Sequence, residues 1–438
     1  MTLIEVLPIA LMFLLLFGGM PVAFALGISG AVGIYSVIGW NGMLGAMSTI
    51  PYRTTASYTM VAIGMFILMA EIATQSNITA RLFNAANSLV GHIRGGLGLA
   101  TVLATAAFST LSGSSIAATA TLSRVAVPEM LRRGYPKPFA AGCVAVSGTL
   151  AILIPPSLPL IIYGILTETS IRMLLIAGFV PGLITMFANM IVVFFWFGRD
   201  KALEVQPRKS AREKWQELKY VWPFILVVVL IFAGLYSGAV TTTEASALGV
   251  TAMFFVWVVL GRLRASGMTP FSFSGLRKAF DRALSSTVMI IALLIGAYIF
   301  SFYLTVTGAT QSFGAYIDAQ GLSPLTLVIV LIALNIVLGM FMSQLEIMIL
   351  TLPFIFPIMM SAGFDSLWLA IIVIKTIEIG LITPPVGMNV FVVASTSRVV
   401  SPMDGFRGAM PFLVADLAVL ALFVSFPEII LFLPAMVR

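Results

Sequence analysis

An all-α polytopic membrane protein, built as an inverted repeat, is predicted by three features of this sequence. Of its 438 residues 60% are hydrophobic and only 9% are charged, whereas a soluble domain is about half apolar and about a quarter charged. Apolar stretches of about 20 residues, the length that crosses a bilayer as a helix, recur from end to end. One constant offset of 229 residues then lays the second half of the chain on the first, carrying Pro155-Pro156 onto Pro384-Pro385.

The apolar segments fall at 3–18, 21–39, 57–75, 139–167, 171–197, 221–240, 244–261, 284–304, 367–396 and 410–433, which gives ten expected spans. Two more stretches, 97–127 and 325–360, are interrupted by Gly, Ser and polar residues, and each has the length of two half-depth helices. Both are read as re-entrant hairpins. The first segment, Leu3 to Phe17, has no basic residue before it and no small-residue cleavage pattern after it, so it reads as a retained span.

Lys and Arg in the flanking loops set the orientation, because cytoplasmic loops carry the excess. All but five of the 24 basic residues collect on one side, which is therefore cytoplasmic, with both termini outside. The exceptions are Arg53, Arg172 and Arg438 on the opposite face, and Arg124 and Lys375 at membrane depth. The long charged loops 199–220 and 262–283 account for the net charge of +7, so no nucleic-acid partner is implied. Within the first loop, Arg212 to Lys219 reads as an amphipathic helix lying on the membrane surface.

Without a gap, the 229-residue offset also places Pro128, Met130 and Gly134 on Pro357, Met359 and Gly363, and Ser114 on Ser343. The matched loops differ in charge: Arg132, Arg133 and Lys137 lie in the first, and Pro357 to Ser366 has no Lys or Arg. They belong on opposite faces. Residues 1–198 and 221–438 therefore read as two inverted repeats joined by a cytoplasmic connector, 199–220. Each repeat has three spans, a hairpin, a broken span and a final span. Inverted repeats with broken helices at the bilayer midplane are a recurrent plan of secondary transporters.

Much other chemistry is excluded. With one Cys (Cys143) and one His (His92), the chain lacks the material for zinc sites, disulfide scaffolds or Ser-His and Cys-His catalysis. No Gly-rich run ends in Gly-Lys-Ser/Thr, so a Walker loop is absent and energy coupling must use ions.

The motifs that remain lie in the apolar segments. Ile154-Pro155-Pro156-Ser157 and Thr383-Pro384-Pro385-Val386-Gly387-Met388-Asn389 each sit mid-span, where paired prolines break the helix and leave carbonyls without intrahelical partners. Backbone of that kind is tolerated at depth only when it is buried in protein or lines a wet cavity. The tip Ser112-Gly113-Ser114-Ser115 offers hydroxyls, free amides and close backbone approach. This suits an anion at a helix start or a hard cation, and it equally suits close packing of helices. Its counterpart is Phe341-Met342-Ser343-Gln344. Neutral oxygens on broken helices favour Na⁺ over a proton as coupling ion.

Charges at membrane depth are Glu71, Arg124, Glu346, Lys375, Glu378 and Asp416, and such groups are functional candidates by default. Lys375 and Glu378, three apart, are expected to pair with each other. Arg124 either neutralises an anionic substrate or snorkels to the cytoplasmic face.

Taken together, Ser112 to Ser115, Pro128-Glu129-Met130 with Arg132 to Tyr135, Ile154 to Ser157, and Glu378-Ile379-Gly380 with Thr383 to Asn389 resemble the signature strings of a known family. It is the large membrane (M) subunit of tripartite ATP-independent periplasmic (TRAP) transporters, DctM-like, and the resemblance covers essentially the whole chain. It implies an elevator-type ion-transporter fold in a bacterial inner membrane and Na⁺-coupled import of an organic acid anion, a carboxylate or sulfonate. It also implies a periplasmic substrate-binding (P) protein and a small four-helix membrane (Q) subunit as a separate chain. Carried over, the Na⁺ sites fall near Ser112, Gly113, Ser114 and Pro155, and near Gly339, Ser343, Thr383, Pro385 and Gly387. The substrate lies between the tips, against Ser114, Ser115, Arg124, Ser157, Ser343, Gln344 and Asn389. Two positions depart from the family pattern: Ser343 stands where an Asp is common, with an acid instead at Glu346, and Arg124 stands where a small residue is common. The competing readings are a binding-protein-independent dicarboxylate or anion carrier of related fold and, from another class, a membrane-embedded enzyme or scaffold.

Overall fold

Proline and glycine punctuate the chain into helices that stop where the backbone can no longer donate. The computed structural model describes residues 3–197, 207–262 and 268–437, and among them there is no strand. Arg199, Lys201, Arg264 and Arg438, used above for orientation, lie outside the described residues, as does 199–206 of the predicted connector.

The first half contains α1 (Leu3–Phe17), α2 (Val22–Thr55), α3 (Tyr58–Gln75) and α4 (Ile78–Val90). A helical hairpin follows, α5 (Gly96–Ser112) and α6 (Ser115–Arg132), then the broken pair α7 (Lys137–Leu153) and α8 (Leu158–Thr167), then α9 (Ile171–Val192), which ends in a π turn. Between the halves comes α10 (Ala211–Leu218). The second half contains α11 (Trp222–Ser237), α12 (Thr242–Arg262), α13 (Phe273–Thr307) and α14 (Ala309–Ala319). Its hairpin is α15 (Pro324–Gly339) and α16 (Gln344–Ser361), its broken pair α17 (Ser366–Gly380) and α18 (Met388–Ser397), and it closes with α19 (Pro402–Ser425) and α20 (Glu428–Val437). Both ends of α6 and α16, and the starts of α7 and α17, are separated by the same 229 positions that align the sequence.

Among the described residues eight stretches are long and apolar enough to cross a membrane, α7 and α8 together making one of them, or nine if α10 and α11, bent by 56°, count as one span. Ten spans were expected. The 15-residue α1 is short of that length, the segment 381–387 divides 367–396 into α17 and α18, and α11 reaches it only together with α10, whereas the hairpin arm α16, read as half-depth, is long enough to cross. Conversely, α2 does not stop at residue 39: it kinks at Gly39 (φ 69°) and continues to Thr55. The first hairpin also runs past its predicted limit of 127 to Arg132.

Packing divides the helices into two groups. α2 and α13 lie along each other and carry α3 and α12, whereas the hairpins, the broken pairs, α9, α19 and α20 form a second bundle. In that bundle α6 packs on α18 and α16 packs on α8, so the second arm of each hairpin seats on the half-helix of the other half. At one end of the molecule the basic segments converge. Arg81 on α4 lies 3.8 Å from Glu217 on α10, Arg282 lies 3.8 Å from Glu71, and the Thr269 N–H donates to the Ser76 carbonyl at 3.2 Å. The helix expected at 212–219 is α10, whose N-terminus is capped by Ser210, with Glu213 reaching back to the Ser210 N–H.

The second bundle is pinned by charge. The Lys375 ammonium donates to Glu378 at 3.0 Å and to Asp416 at 2.6 Å, with all three side chains fully buried. Thr149 donates to the other Glu378 oxygen at 2.6 Å, so α7, α17 and α19 meet at one ionic node. The expected Lys375–Glu378 pair is present, and Asp416 completes it. Removing one partner from a buried ion cluster strands the others and costs about 3–5 kcal/mol. Lys375→Met should therefore destabilise the chain by about that much in detergent thermal unfolding, and adding Glu378→Gln and Asp416→Asn should restore most of the loss. A Lys375→Met protein as stable as its parent would show that the node holds nothing.

Candidate functional site

Each hairpin tip meets the break of its own half through the backbone. α5 ends in Gly113, whose φ of 55° permits the sharp turn, and Ser114 then caps α6 by accepting the Ala117 N–H at 3.4 Å. A side chain on Gly113 would come within 3.0 Å of the Pro156 carbonyl and the Leu158 amide, so only glycine lets the tip reach the break. There the Leu158 N–H donates to the Gly113 carbonyl at 3.4 Å. Ser157, fully buried, donates its hydroxyl back to the Ile152 carbonyl across the Pro155-Pro156 gap. The Pro155-Pro156 and Pro384-Pro385 bonds are both cis.

The second half repeats this arrangement with other side chains. Gly387, at φ 54°, donates its N–H to the Met340 carbonyl at the hairpin tip at 3.1 Å. Leu158 and Gly387 are themselves 229 positions apart. Ser343 starts α16, and the Glu346 carboxylate accepts the Ser343 N–H at 2.8 Å. The acid seen at membrane depth in the sequence thus serves as the cap of a helix start. Thr383 donates its hydroxyl to the Ile379 carbonyl at 2.6 Å, and its oxygen keeps the capacity to accept. Gly339 and Gly380 touch backbone to backbone, since a Cβ on Gly380 would lie 2.6 Å from the Gly339 Cα. Here glycine brings α15 onto α17.

The sequence-predicted residues fall into three groups. Ser112, Gly113, Ser114, Pro155 and Ser157 form the first tip and break, and Gly339, Ser343, Gln344, Thr383, Pro385 and Gly387 form the second. Ser115 and Asn389 join the halves: the Ser115 hydroxyl donates to Asn389 Oδ1 at 3.1 Å, and Asn389 Nδ2 donates to the Ala145 carbonyl at 3.1 Å. Both side chains are fully buried and committed to each other. Arg124 stands apart, exposed, nine residues up α6 from Ser115, which is about 14 Å along the axis.

Two polar atoms at the tips are buried and unpartnered: Ser112 Oγ and Gln344 Oε1. A buried oxygen without a donor is costly unless something fills the role. With the tip and break carbonyls they make a set of neutral oxygens suited to a hard monovalent cation or to hydrogen bonding with an anion. Among the described residues no group of three or more His, Cys, Asp or Glu is placed to hold a metal ion. Sequence reasoning did not single out the Leu158 amide and the Met340 carbonyl, because backbone groups leave no residue signature.

Residues 9–429 match the family described as tripartite ATP-independent periplasmic transporter, DctM component. A C4-dicarboxylate TRAP transporter large permease protein, DctM, from Pseudomonas aeruginosa is 38% identical over 386 residues, 87% of this chain and 88% of that one. The sialic acid TRAP transporter large permease protein SiaM of Vibrio cholerae is 32% identical over 429 residues, 96% of each chain. In fold, the chain is similar to the Alcanivorax borkumensis YdaH transporter, with a TM-score of 0.61 at 12% identity over 89% of each chain. The protein is an integral inner-membrane transporter subunit and not an enzyme, and it belongs to the DctM family of large permease components of tripartite ATP-independent periplasmic transporters.

Proposed function

We propose that this chain carries an organic acid anion, a carboxylate or sulfonate, across the membrane in symport with Na⁺. A periplasmic binding protein delivers the anion, and a separate small four-helix membrane subunit completes the complex. The relatives named for C4-dicarboxylates and for sialic acid transport carboxylates, which supports that substrate class. One observation carries the reading. Two equivalent hairpin tips, each hydrogen-bonded through the backbone to a helix break, bring neutral oxygens and helix starts together at two related points. Helix N-termini with free amides favour the anion, and unwound carbonyls and hydroxyls favour the cation.

In this reading one Na⁺ sits near Ser112, Gly113, Ser114 and Pro155, and another near Gly339, Ser343, Thr383, Pro385 and Gly387. The substrate lies between the tips beside Ser114, Ser157, Ser343 and Gln344. The second bundle, with both tips, slides as one block against α2, α3, α12 and α13. The exchange of half-helices between halves, α6 on α18 and α16 on α8, supports a block that moves as a unit and an inverted relation between the halves.

In proteoliposomes holding both membrane subunits and supplied with loaded binding protein, uptake should require an inward Na⁺ gradient. Accumulation that persists with K⁺ in place of Na⁺ would refute the coupling. Ser112→Ala and Thr383→Ala should each raise the half-saturating Na⁺ concentration about tenfold, a loss of about 1.4 kcal/mol, with little change in expression or thermal stability. Unaltered Na⁺ dependence in both variants would remove these residues from the ion sites.

A further inference from the structure

A cavity of about 970 Å³ opens well away from the basic end of the molecule. Its position follows from α3, whose start (Ser57, Thr59, Met60) lines the cavity and whose end leads to Ser76 and Arg81 in the basic cluster. Eighteen helical residues, about 27 Å, separate the two. By the distribution of Lys and Arg this is the outer face.

The walls come from both bundles. Arg53, Ser301 and Thr305, on α2 and α13, face Thr169, Ser170 and Arg172 around the α8–α9 junction. Three charged side chains line the cavity: Arg53, Arg172 and Glu168. Arg172 is tied to the end of α11, where its guanidinium donates to the Leu235 and Tyr236 carbonyls at 2.8 Å each. Arg53 is exposed and has no ion pair or hydrogen bond with the described residues. Two cations against one carboxylate, ringed by hydroxyls, favour an anion. The volume lies within the range of small-molecule sites.

We propose that this cavity is a second anion site, an outer vestibule in which Arg53 holds the carboxylate or sulfonate of the solute before it reaches the hairpin tips. It rests on the reading of the chain as an anion importer, and it adds a station which that reading does not need. Arg53 recognises charge, and the surrounding hydroxyls accept or donate to the rest of the solute.

The test reads the electrostatics of the cavity without knowing the substrate. Ser301→Cys introduces an accessible thiol into the assembled membrane complex, and the natural Cys143 is fully buried. In right-side-out vesicles, the anionic sulfonatoethyl and cationic trimethylammonioethyl methanethiosulfonates are compared by their rates of modification. Arg53→Gln should lower the anionic-to-cationic rate ratio about fivefold, Arg53→Lys should keep it, and succinate should slow modification in the parent but not in Arg53→Gln. A ratio indifferent to Arg53→Gln, or a thiol unreachable from outside, would overturn the vestibule whatever uptake shows. Na⁺-driven uptake is measured on the same vesicles. Its absence with the charge effect intact would overturn the import reading and leave the anion site standing.

Discussion

Lys375 is an ammonium held wholly out of water, which is tolerable only because two carboxylates reach it within 3.0 Å. Its neighbours fix where three helices can lie. Thr149 on α7, Glu378 on α17 and Asp416 on α19 must all converge on one point, and any slip of one helix would leave a bare charge. The unwound segment from Leu381 to Gly387 begins six residues beyond Lys375. A rigid ionic anchor therefore sits immediately before the flexible chemistry, so the loss of helix at 381–387 does not spread back into α17.

Beyond that anchor the governing need is to satisfy backbone groups away from water. Breaking α7 from α8 and α17 from α18 frees carbonyls and amides, and each hairpin tip answers one of them: Gly113 for Leu158, and Met340 for Gly387. Asn389 then crosses from the second half to bind Ser115 and Ala145 of the first. Because each break is closed by a tip and the two halves are stitched by a buried amide, the tips and breaks form one body. The oxygens left over, on Ser112 and Gln344, are therefore held in place by their surroundings.

Much of this was legible in the sequence because prolines and offsets leave marks. The two Pro-Pro pairs located the breaks, the 229-residue shift located the second tip, and the i, i+3 spacing gave the Lys375–Glu378 pair. What was hidden depends on distance along the chain or on groups without a letter. Asp416 lies 41 residues from Lys375, and nothing in the sequence ties the two. The continuation of α2 past Gly39 and the amphipathic α4 and α14 escaped a search for long apolar runs, since their composition is mixed. Glu346 looked like a functional charge because depth was visible and its partner, a backbone amide three residues back, was not. Arg53 could be assigned only to a face; the cavity around it is made by α3, α9 and α13, which are far apart in sequence.

The separation of neutral and charged recognition follows from the same physics. At the tips, burial makes an unpaired charge too costly, so the binding proposed there would rely on amides, hydroxyls and carbonyls, which discriminate weakly between one carboxylate and another. At the outer cavity water is at hand, and a guanidinium can remain charged without a buried partner. The cavity is walled by Arg53 on one bundle and by Thr169 and Ser170 on the other. In the proposed sliding of the block those walls move apart or together, so the volume offered to the anion changes with the position of the tips. In that proposal a charge that attracts solute at the entrance and a neutral site that carries it inward would be coupled through the shared boundary of the two bundles, without either needing to bind the solute tightly.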